Sequence, residues 1–264
     1  MPSASDPIGM FDSGAGGLAV LREVRRLLPG EDIVYYGDTA HFPYGPKPVD
    51  EVRDRSFAIT RELLARGAKA IVVACNTATS AAIAPLREAF GAPFVGMEPA
   101  LKPAAERTRS GVVALLVTPG TARGEKLASL IGRHGADVDV RIIEAPGLAD
   151  RVEAGDLDGA ETAAMLRRYA DAVRESGAGA LALGCTHYAF LRPAFQRLLG
   201  EGVDVIEPSE AVARQLRHVL DERSLLNPRH DGGSVLYLTS GDEAAFAAVR
   251  ARLMDGAVAA KESA

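Results

Sequence analysis

Short apolar runs alternate along the chain with longer stretches in which apolar residues recur at helical spacing. The runs are IGMF at 8–11, DIVYY at 32–36, AIVVA at 70–74, PFVGM at 93–97, GVVALLV at 111–117, VDVRII at 138–143, ALALG at 180–184, VDVI at 203–206 and SVLYLT at 234–239. Most are rich in Val, Ile and Leu without a two-residue alternation, which marks strands covered on both faces and so a parallel sheet. Helical spacing occupies 17–28, 49–66, 77–90, 121–134, 158–175, 188–199, 209–222 and 242–253, and Pro29-Gly30 terminates the first of these. Repeated strand–helix alternation predicts an α/β fold with right-handed crossovers, and ligands in such folds gather at the carboxyl ends of strands. No low-complexity linker interrupts the pattern, and the tail beyond Asp255, ending VAAKESA, is expected to fray.

Composition narrows the picture. The 264 residues, 47% apolar and 25% charged, are enough for one large domain or two of ordinary size. The net charge of −5 and the lack of clustered Lys and Arg argue against a nucleic-acid partner. No apolar stretch approaches the roughly 20 residues that span a bilayer. The polar start MPSASDP has no signal-peptide core, so a cytoplasmic protein without a membrane partner is expected. Only two cysteines, Cys75 and Cys185, fit a reducing compartment.

Four segments carry candidate chemistry. In FDSGAGG, 11–17, a strand ends at Asp12 and a glycine-rich turn leads into a helix. Such a turn offers free N–H groups to an anion. GAGGLA, 14–19, also fits the dinucleotide fingerprint, although the Asp12 carboxylate, with Ser13 just before the glycines, would repel a pyrophosphate there; Asp12 as a plain helix cap is the structural alternative. GDTAHFPYG, 37–45, is either a functional loop or an ordinary one stiffened by Pro43. VVACNTA, 72–78, and LALGCTHY, 181–188, echo each other: strand, cysteine, polar pair, helix. Alone, either cysteine reads as a buried apolar residue. At a helix N-terminus the dipole and free N–H groups favour its thiolate, and two cysteines in equivalent positions, followed by Asn76-Thr77 and Thr186-His187, favour function. Zinc spacings, a P-loop and a Ser-nucleophile elbow are absent, so no metal site or cofactor is expected; His134, His218 and His230 are expected at the surface.

Two thiols suit one reaction in particular. Inverting a carbon that bears a weakly acidic hydrogen needs a base on one face and an acid on the other, able to exchange roles. Both forms of a thiol are accessible near neutral pH.

With these four motifs in order, the chain resembles the glutamate racemases of the aspartate/glutamate racemase superfamily, from Ile8 to about the helix at 209–222. The resemblance implies two similar Rossmann- or flavodoxin-like domains facing each other across a cleft: 1–97 plus 209–264, carrying Asp12 and Cys75, and 98–208, carrying Cys185. It implies L- to D-glutamate interconversion for peptidoglycan, without pyridoxal phosphate or metal, in a homodimer. Cys75 is then the base for D-glutamate and Cys185 for L-glutamate. Asp12 and His187 assist the thiols, and Glu153 stands behind the second site. Asp12, Ser13, Tyr44, Gly45, Asn76, Thr77, Thr186 and His187 contact substrate. The text EAPGLADRVEAG, 144–155, is less apolar than is usual before that glutamate, and a tyrosine common after Gly120 is missing. With no N-terminal extension, activation by a cell-wall precursor is not expected. The alternatives are an aspartate racemase or another two-cysteine isomerase, a dinucleotide-binding oxidoreductase resting on GAGGLA, and a non-catalytic amino-acid-binding protein.

Overall fold

The nine apolar runs become nine strands, each bounded within one residue of its expected limits: β1 Ile8–Asp12, β2 Ile33–Gly37, β3 Ala70–Val73, β4 Phe94–Gly96, β5 Val112–Val117, β6 Asp139–Glu144, β7 Ala180–Leu183, β8 Asp204–Ile206 and β9 Val235–Thr239. A computed structural model of the chain describes residues 2–123 and 125–259. The strands divide between two compact units, Met1–Met97 with Ser209–Ala264, and Glu98–Pro208.

In the first unit a parallel sheet runs β4-β3-β1-β2-β9, with Ile8 of β1 between Ile33 and Ala70. Every residue of β1 and β3 is buried, which is why their sequences do not alternate. The helix Leu18–Leu27 buries Leu18, Val20, Leu21 and Val24, each worth about 1.5–3 kcal/mol. It packs against Ser209–Glu222, and Val49–Ala65 packs against Asn76–Ala89. The last strand, β9, closes the sheet beside β2 from 202 residues further along the chain, with Val235 opposite Ile33.

Away from the strands' carboxyl ends, the same unit holds a buried ion pair. Lys69 and Glu31, with side chains 0% and 2% exposed, meet at 2.5 Å. The Lys69 ammonium also donates to the carbonyl of Ala4, and the Asn227 backbone N–H donates to Glu31 at 2.8 Å. One pair thus joins the N-terminal segment, the start of β3 and the segment that leads into β9.

In the second unit the parallel order is β6-β5-β7-β8. Val113, Leu115 and Val117 form a core with Leu101, Ala104, Leu127 and Leu130.

Several elements differ from expectation, each for a local reason. The edge strands β6 and β9 are not covered on both faces: Ile142 and Leu236 are exposed. The helix expected over 121–134 is two, Pro119–Ala122 capped by Thr118, then Glu125–His134. The helix expected over 188–199 is a 3₁₀ turn, His187–Leu191, followed by the α-helix Arg192–Leu199, whose start is set by Pro193. Short helices at Leu101–Arg107 and Leu148–Glu153 were not anticipated. The last helix, Glu243–Ala259, runs past Asp255, and residues 260–264 of the expected frayed tail lie outside the described residues. His218 and His230 are exposed, whereas His134 is half-buried. Among the described residues, no helix is long and apolar enough to cross a membrane.

Candidate active site

The first group of site residues gathers at the carboxyl ends of β1, β2 and β3. Cys75 follows β3 and caps the helix Asn76–Ala89, its sulfur accepting from the Ala78 N–H at 3.5 Å. A sulfur in that position feels the positive end of the helix, which favours thiolate. The Cys75 thiol lies 3.8 Å from the Ser13 hydroxyl, which in turn lies 3.5 Å from Asp12 Oδ1. Cys75, Ser13 and Asp12 are all buried. Asp12 Oδ2 accepts from the Gly17 N–H at 2.7 Å, so Asp12 caps its turn as well as facing Ser13. A Cβ on Gly17 would meet Asp12 and the Tyr35 hydroxyl at 2.8 Å, so only glycine admits this turn. The donor a dinucleotide pyrophosphate would seek at Gly17 is therefore taken by the protein's own carboxylate.

Next to Cys75, Asn76 is 7% exposed, and neither its amide nitrogen nor its amide oxygen has a partner within the protein. Two orphaned polar atoms in one buried amide carry a cost that an incoming ligand would remove. Thr77, the next residue, is half-buried.

The loop after β2 turns its tyrosine inward. Tyr44 is packed in the core, 1% exposed, with its hydroxyl donating to Asp38 at 2.6 Å. Its side chain is thus engaged inward; Gly45 beside it is half-buried. Burial, and then the Asp38 charge, push the Tyr44 phenol far above its ordinary range. In the sequence Asp38, 0% exposed, is one residue of the loop, and nothing marks Arg55, which grips both its oxygens at 2.7 and 3.0 Å. Burial works against the Asp38 charge, but the hydrogen bonds from Arg55 and Tyr44 and the charge of Arg55 more than offset it and hold the carboxyl below its ordinary range.

The second group gathers at the carboxyl ends of β5 and β7. Gly184 leads out of β7 because a Cβ there would strike Val117 at 2.6 Å. Cys185, Thr186 and His187 follow, all buried. The Cys185 sulfur is 3.8 Å from His187 Nδ1, the Thr186 hydroxyl is 3.4 Å from the same nitrogen, and His187 Nε2 is 2.7 Å from Glu153. Glu153 is delivered by the helix Leu148–Glu153, entered through Gly147 at φ +77°. The expectation of an α-helix N-terminus at Cys185 is corrected: a 3₁₀ turn follows it, so its polarising neighbour is the imidazole and not an α-helix dipole.

Burial disfavours charge on His187, yet hydrogen bonds and negative charge from Cys185 and Glu153 outweigh it and hold the imidazole well above its usual value. A folded-state pKa raised above the unfolded value of about 6.5 adds stability that is fully present below that pH. It is lost as pH rises through the folded value. Glu153→Gln removes part of the cause. Denaturation midpoints should therefore fall less between pH 6 and alkaline pH in the variant than in the wild type, and equal slopes would show that Glu153 does not hold the proton on His187.

A model of the family described as Asp/Glu/hydantoin racemase matches residues 8–216. The glutamate racemase of Herpetosiphon aurantiacus is 48% identical over 244 residues, 92% of this chain and 96% of that one. A crystallised glutamate racemase isoform of Bacillus anthracis superposes with a TM-score of 0.87 at 32% identity, covering 95% of this chain and 94% of the other. The Francisella tularensis glutamate racemase, crystallised with D-glutamate, gives 0.83 at 27% identity, with coverage of 96% and 94%. The chain belongs to the Asp/Glu/hydantoin racemase family and, within it, to the glutamate racemases, which are amino-acid racemases.

Proposed function

We propose that this chain interconverts L- and D-glutamate without a cofactor, with Cys75 and Cys185 as an acid/base pair working on opposite faces of one carbon. In the L to D direction the Cys185 thiolate takes the α-proton, and the electron pair left on carbon spreads into the α-carboxylate. The Cys75 thiol then returns a proton to the other face. Cys185 ends as thiol and Cys75 as thiolate, the arrangement needed for D-glutamate; exchange with solvent restores the first form. His187, held by Glu153, shields the charge on Cys185, and Ser13 links Cys75 to Asp12. Asn76 and Thr77 on one side, Thr186 on the other, and the backbone at Tyr44-Gly45 bind the substrate's carboxylates and ammonium. The enzyme works in the cytoplasm as a homodimer, and its D-glutamate goes to peptidoglycan.

The observation that carries this reading is the buried, partnerless amide of Asn76 beside a thiol at a helix N-terminus: a site built for a small polar ligand next to a proton-transfer group. Its test is polarimetry or circular dichroism of L-glutamate with protein dialysed against chelator and hydroxylamine. The optical signal should decay to the racemic value with nothing added, and kcat/KM should be larger for glutamate than for aspartate. Activity that returns only with pyridoxal phosphate, or an equal kcat/KM for aspartate, would overturn it.

A further inference from the structure

We propose that Arg55, through Asp38, and Ser240, through the backbone of Ala40, are positioning residues that hold the loop 38–45 in its substrate-binding form. The inference rests on the reading that this loop, through Tyr44-Gly45, binds substrate. Asp38 is a fully buried carboxylate at the root of the loop, and its donors come from two separate stretches of chain, while a third stretch bonds the loop's backbone beside it. His41 Nδ1, at 3.0 Å, and Tyr44, at 2.6 Å, belong to the loop itself. Arg55 comes from the helix Val49–Ala65 and spans both carboxylate oxygens. Ser240 comes from beyond β9: its hydroxyl accepts the Ala40 N–H at 3.1 Å, while its backbone N–H donates to the Gly37 carbonyl at 3.2 Å. Alongside, the Thr39 and Thr239 hydroxyls meet at 2.6 Å, and Gly241 lies so close to Thr39 that a Cβ would collide with it.

A buried carboxylate needs an opposite charge and full hydrogen bonding to persist. A planar guanidinium that binds both oxygens also fixes the carboxylate's orientation, which an ammonium does not. The Asp38 backbone N–H in turn donates to the Asp12 carbonyl at 3.0 Å. The hub therefore ties the loop to the strand end that carries Asp12. Neither Arg55 nor Ser240 need touch substrate for this, and Ser240 lies outside the residues 8–216 that the family model matches.

Two readouts test the proposal, in the full chain, with Arg55→Met, Arg55→Lys, Ser240→Ala and, as control, Arg53→Met, whose partner is Asp50. Amide hydrogen exchange of the segment 38–45 should quicken about tenfold or more in Arg55→Met and by a smaller factor in Ser240→Ala, with the control unchanged. Losing a hydrogen bond to a charged group should raise KM for glutamate about 10- to 100-fold, with kcat within about threefold. Arg55→Lys should recover part of the KM because it keeps the charge but not the fork. Exchange in 38–45 that matches the control, or kcat that falls as far as kcat/KM, overturns the proposal. Should Arg55→Met fail to fold, Ser240→Ala decides it by the same two measurements. A wild-type protein that does not racemise glutamate would instead refute the proposed function, and hydrogen exchange would still decide whether Arg55 and Ser240 fix the loop.

Discussion

Cys75→Ser and Cys185→Ser should each lose racemisation by a factor of about 10²–10⁴, the usual contribution of a positioned acid or base. Inversion needs both a base and an opposed acid, so the double variant should be scarcely worse than either single one, the behaviour of groups that act as a unit. The two singles should separate when only one proton is removed. With a β-halogenated glutamate, loss of the α-proton expels halide without any return of a proton. Cys75→Ser should then still process the L isomer, through Cys185, and Cys185→Ser the D isomer, through Cys75. In heavy water, the wild-type enzyme should place deuterium first in the product enantiomer, because the returning proton comes from a thiol that has exchanged with solvent. If both variants kept the same isomer, or one still racemised at the wild-type rate, the paired assignment would fail. The idle cysteine would then be a packed core residue, consistent with 5% and 8% exposure for Cys75 and Cys185.

The second large effect concerns stability. Lys69→Met should destabilise the protein by about 3–5 kcal/mol, because it strands the Glu31 carboxylate in the interior. The remaining Asn227 N–H satisfies only one of its oxygens. Removing both charges together, Lys69→Met with Glu31→Leu, should cost less than Lys69→Met alone, since well-packed apolar residues replace a buried pair at little net loss. Denaturant midpoints of the three proteins check this. A single variant within about 1 kcal/mol of wild type would mean that water reaches Glu31, and a double variant worse than the single would mean that the carboxylate and not the charge balance holds the segments together.

These cases show where the sequence was informative. The strands were legible because β1, β3, β5 and β7 are buried along nearly their whole length, and burial imposes unbroken Val, Ile and Leu. Strand ends are legible too, since the turns that follow them place Asp12, Cys75 and Cys185. Short helices escaped notice: Leu101–Arg107 carries Pro103 in its first turn, and Leu148–Glu153 is too short to show a period. The hidden part was the pairing of polar groups. Lys69 sits in a run, RGAKA, that reads as a solvated turn, and its partner is 38 residues away. Arg55 looks like one of several charges on an amphipathic helix; only the fold brings it to Asp38. The substrate contact at Tyr44-Gly45 is implied by the resemblance alone; that the Tyr44 ring fills core space is not legible in a polar loop.

One feature of connectivity bears on how the molecule is made. The first unit is interrupted: the chain leaves it after Met97 and re-enters at Ser209. During synthesis from the N-terminus, β2 remains an open edge until β9 emerges, whereas the second unit has all four of its strands once Ile206 is out. The inserted unit is thus the first that can finish folding on the ribosome, while the half-sheet made earlier waits with an unpaired edge through the translation of more than a hundred residues. Nascent chains long enough for residue 208 to have left the ribosomal exit tunnel should already protect β5 and β7 from proteolysis, and protection of β2 should await the emergence of Thr239.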